Sequence, residues 1–281
     1  MNCHYLPVRL PGANIVCEKK NKDIKKMGFL YETHLHTCEA SACGKVHGED
    51  YIDYMINKGY SGFVVTDHFF NGNTCVPEDM PWADRVEMYA SGYERALKAA
   101  EGRDINVMFG VEFNFWKDEY LIYGIDKKWL LDNECIMEMT RHELHDAVRK
   151  AGGVMIQAHP FRERDYLSDI RLAPSACDGV EVYNAANKPN MNALGFEYTT
   201  ELGMPMTAGS DIHYFYDGDM GGMLFDTKIT DVKDLARGLI DGRGIPVRLG
   251  QNGVITPVSE IKEQTVSTEL PTLPVIYPEG K

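Results

Sequence analysis

The chain has 281 residues, 44% hydrophobic and 25% charged, enough for one large domain or two small ones. Its 42 acidic and 29 basic residues give a formal charge of -13, which opposes unaided capture of nucleic acid or an anionic membrane but leaves room for a local basic pocket. No apolar run approaches the ~20 residues of a membrane helix and no apolar signal core opens the chain, so a soluble, cytoplasmic protein is expected. The seven cysteines are scattered without a CxxC pair, and reduced thiols are the expectation.

Residues 1–27 are polar and basic, carry Pro7 and Pro11, and read as an N-terminal arm. From 28 to 250, short apolar runs alternate with helical ones. Strands are predicted at 28–32, 62–66, 105–113, 120–125, 153–158, 179–184, 204–209 and 245–249. Helices are predicted at 49–58, 83–100, 128–150, 190–201 and 232–240. This alternation argues for parallel βα units with both sheet faces covered. About seven or eight units suit a closed or distorted (β/α) barrel, with an open doubly wound sheet as the rival. Residues 251–281, with four prolines and no long periodic face, read as a C-terminal tail or lid on the barrel surface.

Polar residues follow the strands directly. They are His34-Leu35-His36, Thr66-Asp67-His68, Gly110-Val111-Glu112, Ala158-His159-Pro160-Phe161-Arg162 and Gly209-Ser210-Asp211-Ile212-His213. In a barrel such positions share one mouth. Taken singly, each has an ordinary reading: a hydrogen-bonded histidine pair, a helix N-cap, a proline stop after a strand. Five of them at strand ends point to a metal site. In extended chain, residues i and i+2 face one side, so His34 and His36 can reach one ion, as can Asp211 and His213. Imidazole with carboxylate suits Zn, Mn or Fe, and the ligands outnumber one ion's needs, so two or three divalent ions are expected.

In this order the motifs HLH, TDH, GVE, AHPFR and GSDIH resemble the PHP superfamily, named for polymerase and histidinol phosphatase, from about Gly28 to Gly250. The resemblance implies a distorted (β/α)7 TIM-like barrel that hydrolyses phosphate esters. It implies a first metal on His34, His36, Glu112 and Asp211, a second shared by Glu112 with His159, and a third on His68 and His213. Asp67 is expected behind the ligands, orienting a histidine or the loop.

Two stretches depart from that pattern. Where relatives place a further ligand soon after HxH, this chain reads "TCEASACG", so Glu39 is the expected replacement and Cys43 the alternative, a thiolate being a good zinc ligand. After Glu112, "KDEYLIYGID" lacks a histidine found in relatives, which leaves Glu119 and His142 as candidates.

The expected reaction is hydrolysis of a small phosphomonoester, in the manner of a histidinol phosphatase, by a hydroxide that two ions ~3.5–4 Å apart can share. Arg162 is expected to fork onto the substrate phosphate. Tyr183, Asn184 and Asn187 are possible pocket residues. A diesterase or exonuclease on short oligonucleotides is the alternative, with stable nucleic-acid binding disfavoured by charge, and a non-catalytic metal-binding domain is a third. No P-loop or Rossmann fingerprint implies a nucleotide cofactor.

Overall fold

A computed structural model describes residues 28–278; the expected N-terminal arm, 1–27, lies outside them. The first strand, β1 (Phe29–Leu35), is buried from Leu30 onward and continues through the polar Glu32-Thr33-His34 to Leu35, beyond the predicted end at 32. It is followed by α1 (Tyr51–Lys58), β2 (Gly62–Val65), α2 (Trp82–Ala99), β3 (Asn106–Phe115), β4 (Asp118–Tyr123), α3 (Lys127–Asp132), α4 (Arg141–Lys150), β5 (Val154–Gln157), β6 (Ile170–Arg171) and β7 (Gly179–Asn184). Then come α5 (Pro189–Leu202), β8 (Met206–Gly209), β9 (Met220–Phe225), α6 (Val232–Ile240), β10 (Gly244–Leu249), β11 (Ile255–Pro257), α7 (Lys262–Thr265) and β12 (Val275–Ile276).

Ten strands form one sheet in the order β11-β10-β9-β1-β2-β3-β4-β5-β7-β8. The sheet curls until β8 meets β1: Thr33 Oγ1 donates to Ala208 O at 2.8 Å, and the His36 amide to Ile212 O at 2.9 Å. The result is a barrel-like α/β wall, without uniform parallel βα units. Strands β1–β2–β3 and β5–β7–β8 pair in parallel, whereas β4 runs against both neighbours and β9, β10 and β11 extend the β1 side antiparallel. The two-residue connection Trp116–Lys117 folds β3 back into β4, with both residues at positive φ. A link that short can only make an antiparallel hairpin.

The predicted helix over 128–150 is two helices with a 3-10 turn between them. Thr140 restarts the chain as an N-cap: its hydroxyl accepts from the Glu143 amide, and Glu143 Oε2 accepts from the Thr140 amide at 2.9 Å. This reciprocal bonding satisfies free donors that a continuous helix would not have. Strand β9, "MGGMLF", was not predicted, because glycine is a poor strand former. Here glycine is required: a Cβ on Gly221 would lie 2.2 Å from the Gly209 carbonyl oxygen, so only glycine lets β9 pass this close behind β8.

The segment after 250 is tied to the sheet as well as lying over it. β11 pairs with β10, β12 pairs in parallel with β6, and Gln264 of α7 accepts from Asn192 of α5 at 2.9 Å. No helix among the described residues is long and apolar enough to cross a membrane.

Candidate metal centre

The strand ends bring a set of imidazole and carboxylate side chains, most of them buried, to one point. His34 lies in β1 and His36 just beyond it, His68 follows β2, Glu112 lies in β3, His159 follows β5, and Asp211 and His213 follow β8. Because β4 runs antiparallel, its beginning, not its end, reaches the mouth, and this brings in Glu119 opposite Asn114.

Glu112 is the hub. Its Oε1 lies 3.1 Å from His34 Nε2 and 3.3 Å from His159 Nε2, while its Oε2 lies 3.5 Å from His36 Nε2 and 2.5 Å from His68 Nδ1. Asp211 Oδ1 sits 3.5 Å from His34 Nε2, 3.2 Å from His36 Nε2 and 3.5 Å from His213 Nδ1. Glu119 is 3.5 Å from His159 Nε2 and 3.8 Å from His68 Nδ1. The His36 and His213 rings stack at 4.2 Å between centroids, with His68 4.3 Å from His36.

Hydrogen bonds behind the rings fix their protons. His34 Nδ1 faces Glu181 Oε1 at 3.0 Å, and a carboxylate can only accept, so Nδ1 carries the hydrogen and Nε2 offers a lone pair. His213 Nδ1 donates to the Asp211 carbonyl at 2.9 Å with the same consequence. Ser41 gives its own hydrogen to Asp67 at 2.6 Å, so it accepts from His36 Nδ1 at 3.0 Å. Asp67 also accepts from the Thr37 amide and hydroxyl, both at 2.6 Å. It therefore steadies His36 through Ser41, and the loop through Thr37.

Charge is distributed unevenly. Burial alone would raise the Glu112 and Asp211 carboxyls, yet both are held well below their usual range, Glu112 by His68 and His34 and Asp211 by Arg162 and His34. Glu119 is raised by burial and by the nearby Glu112 carboxylate. His36 is lowered by burial and by the His213 and His68 imidazoles, which favours its neutral form. His159 and Asp211 both sit at positive φ, 29° and 57°. Non-glycine residues held there are strained by roughly 1–3 kcal/mol and concentrate at functional sites.

Arg162 is held on three sides. Its Nη1 meets Asp211 Oδ2 at 2.5 Å, Nε donates to Asn187 at 2.8 Å, and Nη2 donates to Asn184 at 2.8 Å. Five guanidinium N–H groups less three leave two for another acceptor. Beside it a cavity of about 560 Å³ opens over Asp211 and His213, lined also by Cys43, Lys45, Arg164, Tyr214 and Tyr216.

Two expected residues lie elsewhere. Glu39 pairs away from the centre: its Oε1 is 2.7 Å from His47 Nδ1 and 3.3 Å from Arg95 Nε, and its Oε2 accepts from the Gly48 amide. With Cys38 and His47 it forms a separate half-exposed group. His142, on α4, bonds Ser175 Oγ at 3.1 Å and belongs to no ligand group among the described residues. Cys43 does face the centre, within hydrogen-bonding reach of His68 and His213; burial would raise its thiol, but these imidazoles bring it down to about 6. Glu181 was missed. Besides holding His34, it accepts from the His159 amide at 3.1 Å and Asn184 Nδ2 at 2.9 Å. Its signal in the sequence was a lone charge inside an otherwise uncharged buried strand.

The donor set fits divalent metal. His34 Nε2, His36 Nε2, His68 Nδ1 and Glu112 Oε2 are buried, point at one another and make no hydrogen bond of acceptable geometry. Orphaned lone pairs at this density are stabilised by a cation between them.

No family model and no curated protein sequence matches the chain. Solved structures match its fold. A two-domain protein from Bacteroides vulgatus, containing a predicted PHP-like metal-dependent phosphoesterase, aligns at TM-score 0.57 and 14% identity over 85% of this chain and 69% of that one. The fold is PHP-like. A lesion-specific endonuclease from Pyrococcus furiosus also aligns, at TM-score 0.51 and 12% identity, over 89% of this chain and 75% of that one.

Proposed function

We propose that the chain is a metal-dependent phosphoesterase acting on a small phosphomonoester. The observation that carries this reading is the convergence of orphaned imidazole nitrogens on the Glu112 carboxylate, beside an arginine with unused donors. Two or three divalent ions, Zn, Mn or Fe, would be held by His34, His36, His68, Glu112, Glu119, His159, Asp211 and His213. Once bound, such ions make water more acidic and neutralise phosphoryl oxygens. The protein's own residues do the rest. Glu181, Ser41 and the Asp211 carbonyl hold three rings in the tautomer that presents a lone pair. Arg162, braced by Asp211, Asn184 and Asn187, would turn its two free N–H groups to a phosphate in the cavity.

The cavity suits a small ester, and the charge of -13 disfavours a long nucleic acid. The bridge from Leu35 to Ile212 supports reading β1, β2, β3, β4, β5, β7 and β8 as a distorted seven-stranded barrel, with 28–250 as the catalytic unit and 251–281 as its cover. The test is turnover of p-nitrophenyl phosphate by metal-replete protein. His34→Ala and Asp211→Ala should abolish it, and Arg162→Ala should chiefly raise KM. Normal turnover by either ligand variant would refute the mechanism. A panel of monoesters against dinucleotides decides between monoesterase and diesterase.

A further inference from the structure

We infer that Lys45 and Arg164 form a second anion site in the cavity beside the metal centre. The substrate is then a phosphomonoester whose leaving group carries a further negative charge, on a carboxylate or a second phosphate. This substrate class rests on the phosphoesterase reading above and concerns what lies beyond the scissile phosphate.

Both cations are placed by the loops that carry them. The Lys45 amide donates to His213 O at 2.8 Å, which ties the base of its side chain to the segment after β8. Arg162, Glu163 and Arg164 follow β5 in irregular chain, and the C-terminal segment engages the middle one. Glu163 accepts from the Thr272 amide at 2.6 Å, the Thr272 hydroxyl at 2.9 Å and the Leu273 amide at 3.2 Å. The arginines on either side of it line the cavity together with Lys45. A turn then closes behind Arg164, whose carbonyl accepts from the Leu167 amide at 2.9 Å.

Charge in the cavity is unbalanced. Lys45, Arg162 and Arg164 share it with one carboxylate, Asp211, and Arg162 already holds that. Neither Lys45 nor Arg164 has a carboxylate partner among the described residues, whereas Arg95, Arg103, Lys127 and Arg141 each have one. Arg164 Nη1 donates to the Glu163 carbonyl at 3.1 Å, which leaves most of its fork unused. The remaining walls include Ala185, Ala186, Tyr214 and Tyr216, none of them charged at neutral pH. In a chain of net charge -13, a cleft that gathers positive charge and leaves it unneutralised concentrates anions there. At about 560 Å³ the cavity lies within the roughly 300–1,000 Å³ of small-molecule sites, so it holds a leaving group as well as a phosphate. An anion on that group pairs Lys45 and the Arg164 fork, and an ammonium there meets like charge.

The test compares matched esters on metal-replete protein at physiological ionic strength. Three aryl phosphates share shape and an insulated leaving group: para-carboxymethylphenyl phosphate, its neutral carboxamide, and the para-aminoethylphenyl ester. The ratio kcat/KM should rise about tenfold or more from the carboxamide to the carboxylate, and fall for the amine. Propanediol bisphosphate against propanediol monophosphate asks the same of a second phosphate, and the larger preference identifies the anion. Lys45→Gln and Arg164→Gln should each lower the anionic-to-neutral preference, and the double variant should bring it to about one, because neither pair can then form. A preference measured within one protein is independent of how much of a variant is folded. Equal turnover of anionic and neutral esters by the unaltered protein overturns the second site while the phosphoesterase reading stands. A preference that survives both substitutions puts the anion elsewhere and likewise overturns it. Turnover of none of the esters refutes the phosphoesterase reading itself.

Discussion

Replacing Glu181 by glutamine probes the least conspicuous part of the centre. Glu181 Oε1 accepts the His34 Nδ1 hydrogen at 3.0 Å, while Oε2 accepts two donors, the His159 amide at 3.1 Å and Asn184 Nδ2 at 2.9 Å. Glutamine retains one carbonyl oxygen, and two donors at Oε2 against one at Oε1 place it on the Oε2 side. Its NH2 group then faces His34 Nδ1, where two donors would meet. The imidazole relieves the conflict by taking its other tautomer, which puts a hydrogen on Nε2, the atom aimed at Glu112 and Asp211. Loss of an outer partner to a ligating histidine commonly weakens metal affinity 10–100-fold, about 1.4–2.8 kcal/mol. The forced tautomer places Glu181→Gln toward the upper end of that range. Competition for Zn²⁺ against a chromophoric chelator at neutral pH measures the effect, with circular dichroism confirming the fold. An affinity within about twofold of the unaltered protein would refute this account of the tautomer.

Two further outcomes follow from other contacts. Arg141→Met strips Asp118 of its buried partner, which is bonded at 2.8 and 2.6 Å, leaving chiefly the Tyr120 hydroxyl. The unfolding free energy in urea should fall by about 3–5 kcal/mol, and adding Asp118→Leu should recover most of it; a double variant no better than the single one contradicts the reasoning. Zn²⁺ at about 100 times its Kd should stabilise the protein by about 2.7 kcal/mol in calorimetry, and a thermal midpoint that zinc does not move would contradict a folded-state site.

The strand ends were legible in the sequence because chemistry and periodicity coincided there. Strand 179–184 and helix 232–240 have the predicted bounds, and the motifs HLH, TDH, GVE, AHP and SDIH mark the residues that now converge. What escaped depends on tertiary contact. The direction of β4 is set by a two-residue link that an apolar run does not reveal. β9 lacks strand propensity and exists because Gly221 permits close approach. Glu39 and Cys43 lie four residues apart in one loop, and their opposite fates follow from Arg95 and His47 on one side and His68 and His213 on the other. Thr140 and Glu143 did carry a helix-start signature, but it was masked by continuous helical composition.

The closure of β8 onto β1 also governs when the centre can exist. The Thr33–Ala208 bond spans 175 residues, and Asp211 and His213 arrive only with that closure. Contacts so distant along the chain form slowly, because a long loop must be ordered first. A nascent or truncated chain ending before Met206 therefore carries His34, His36, His68, Glu112 and His159 without Asp211, the second carboxylate beside His34 and His36. On the proposed reading, metal capture would be a late event in folding, and an ion bound there would act as a latch between the first strand of the sheet and one of the last to arrive.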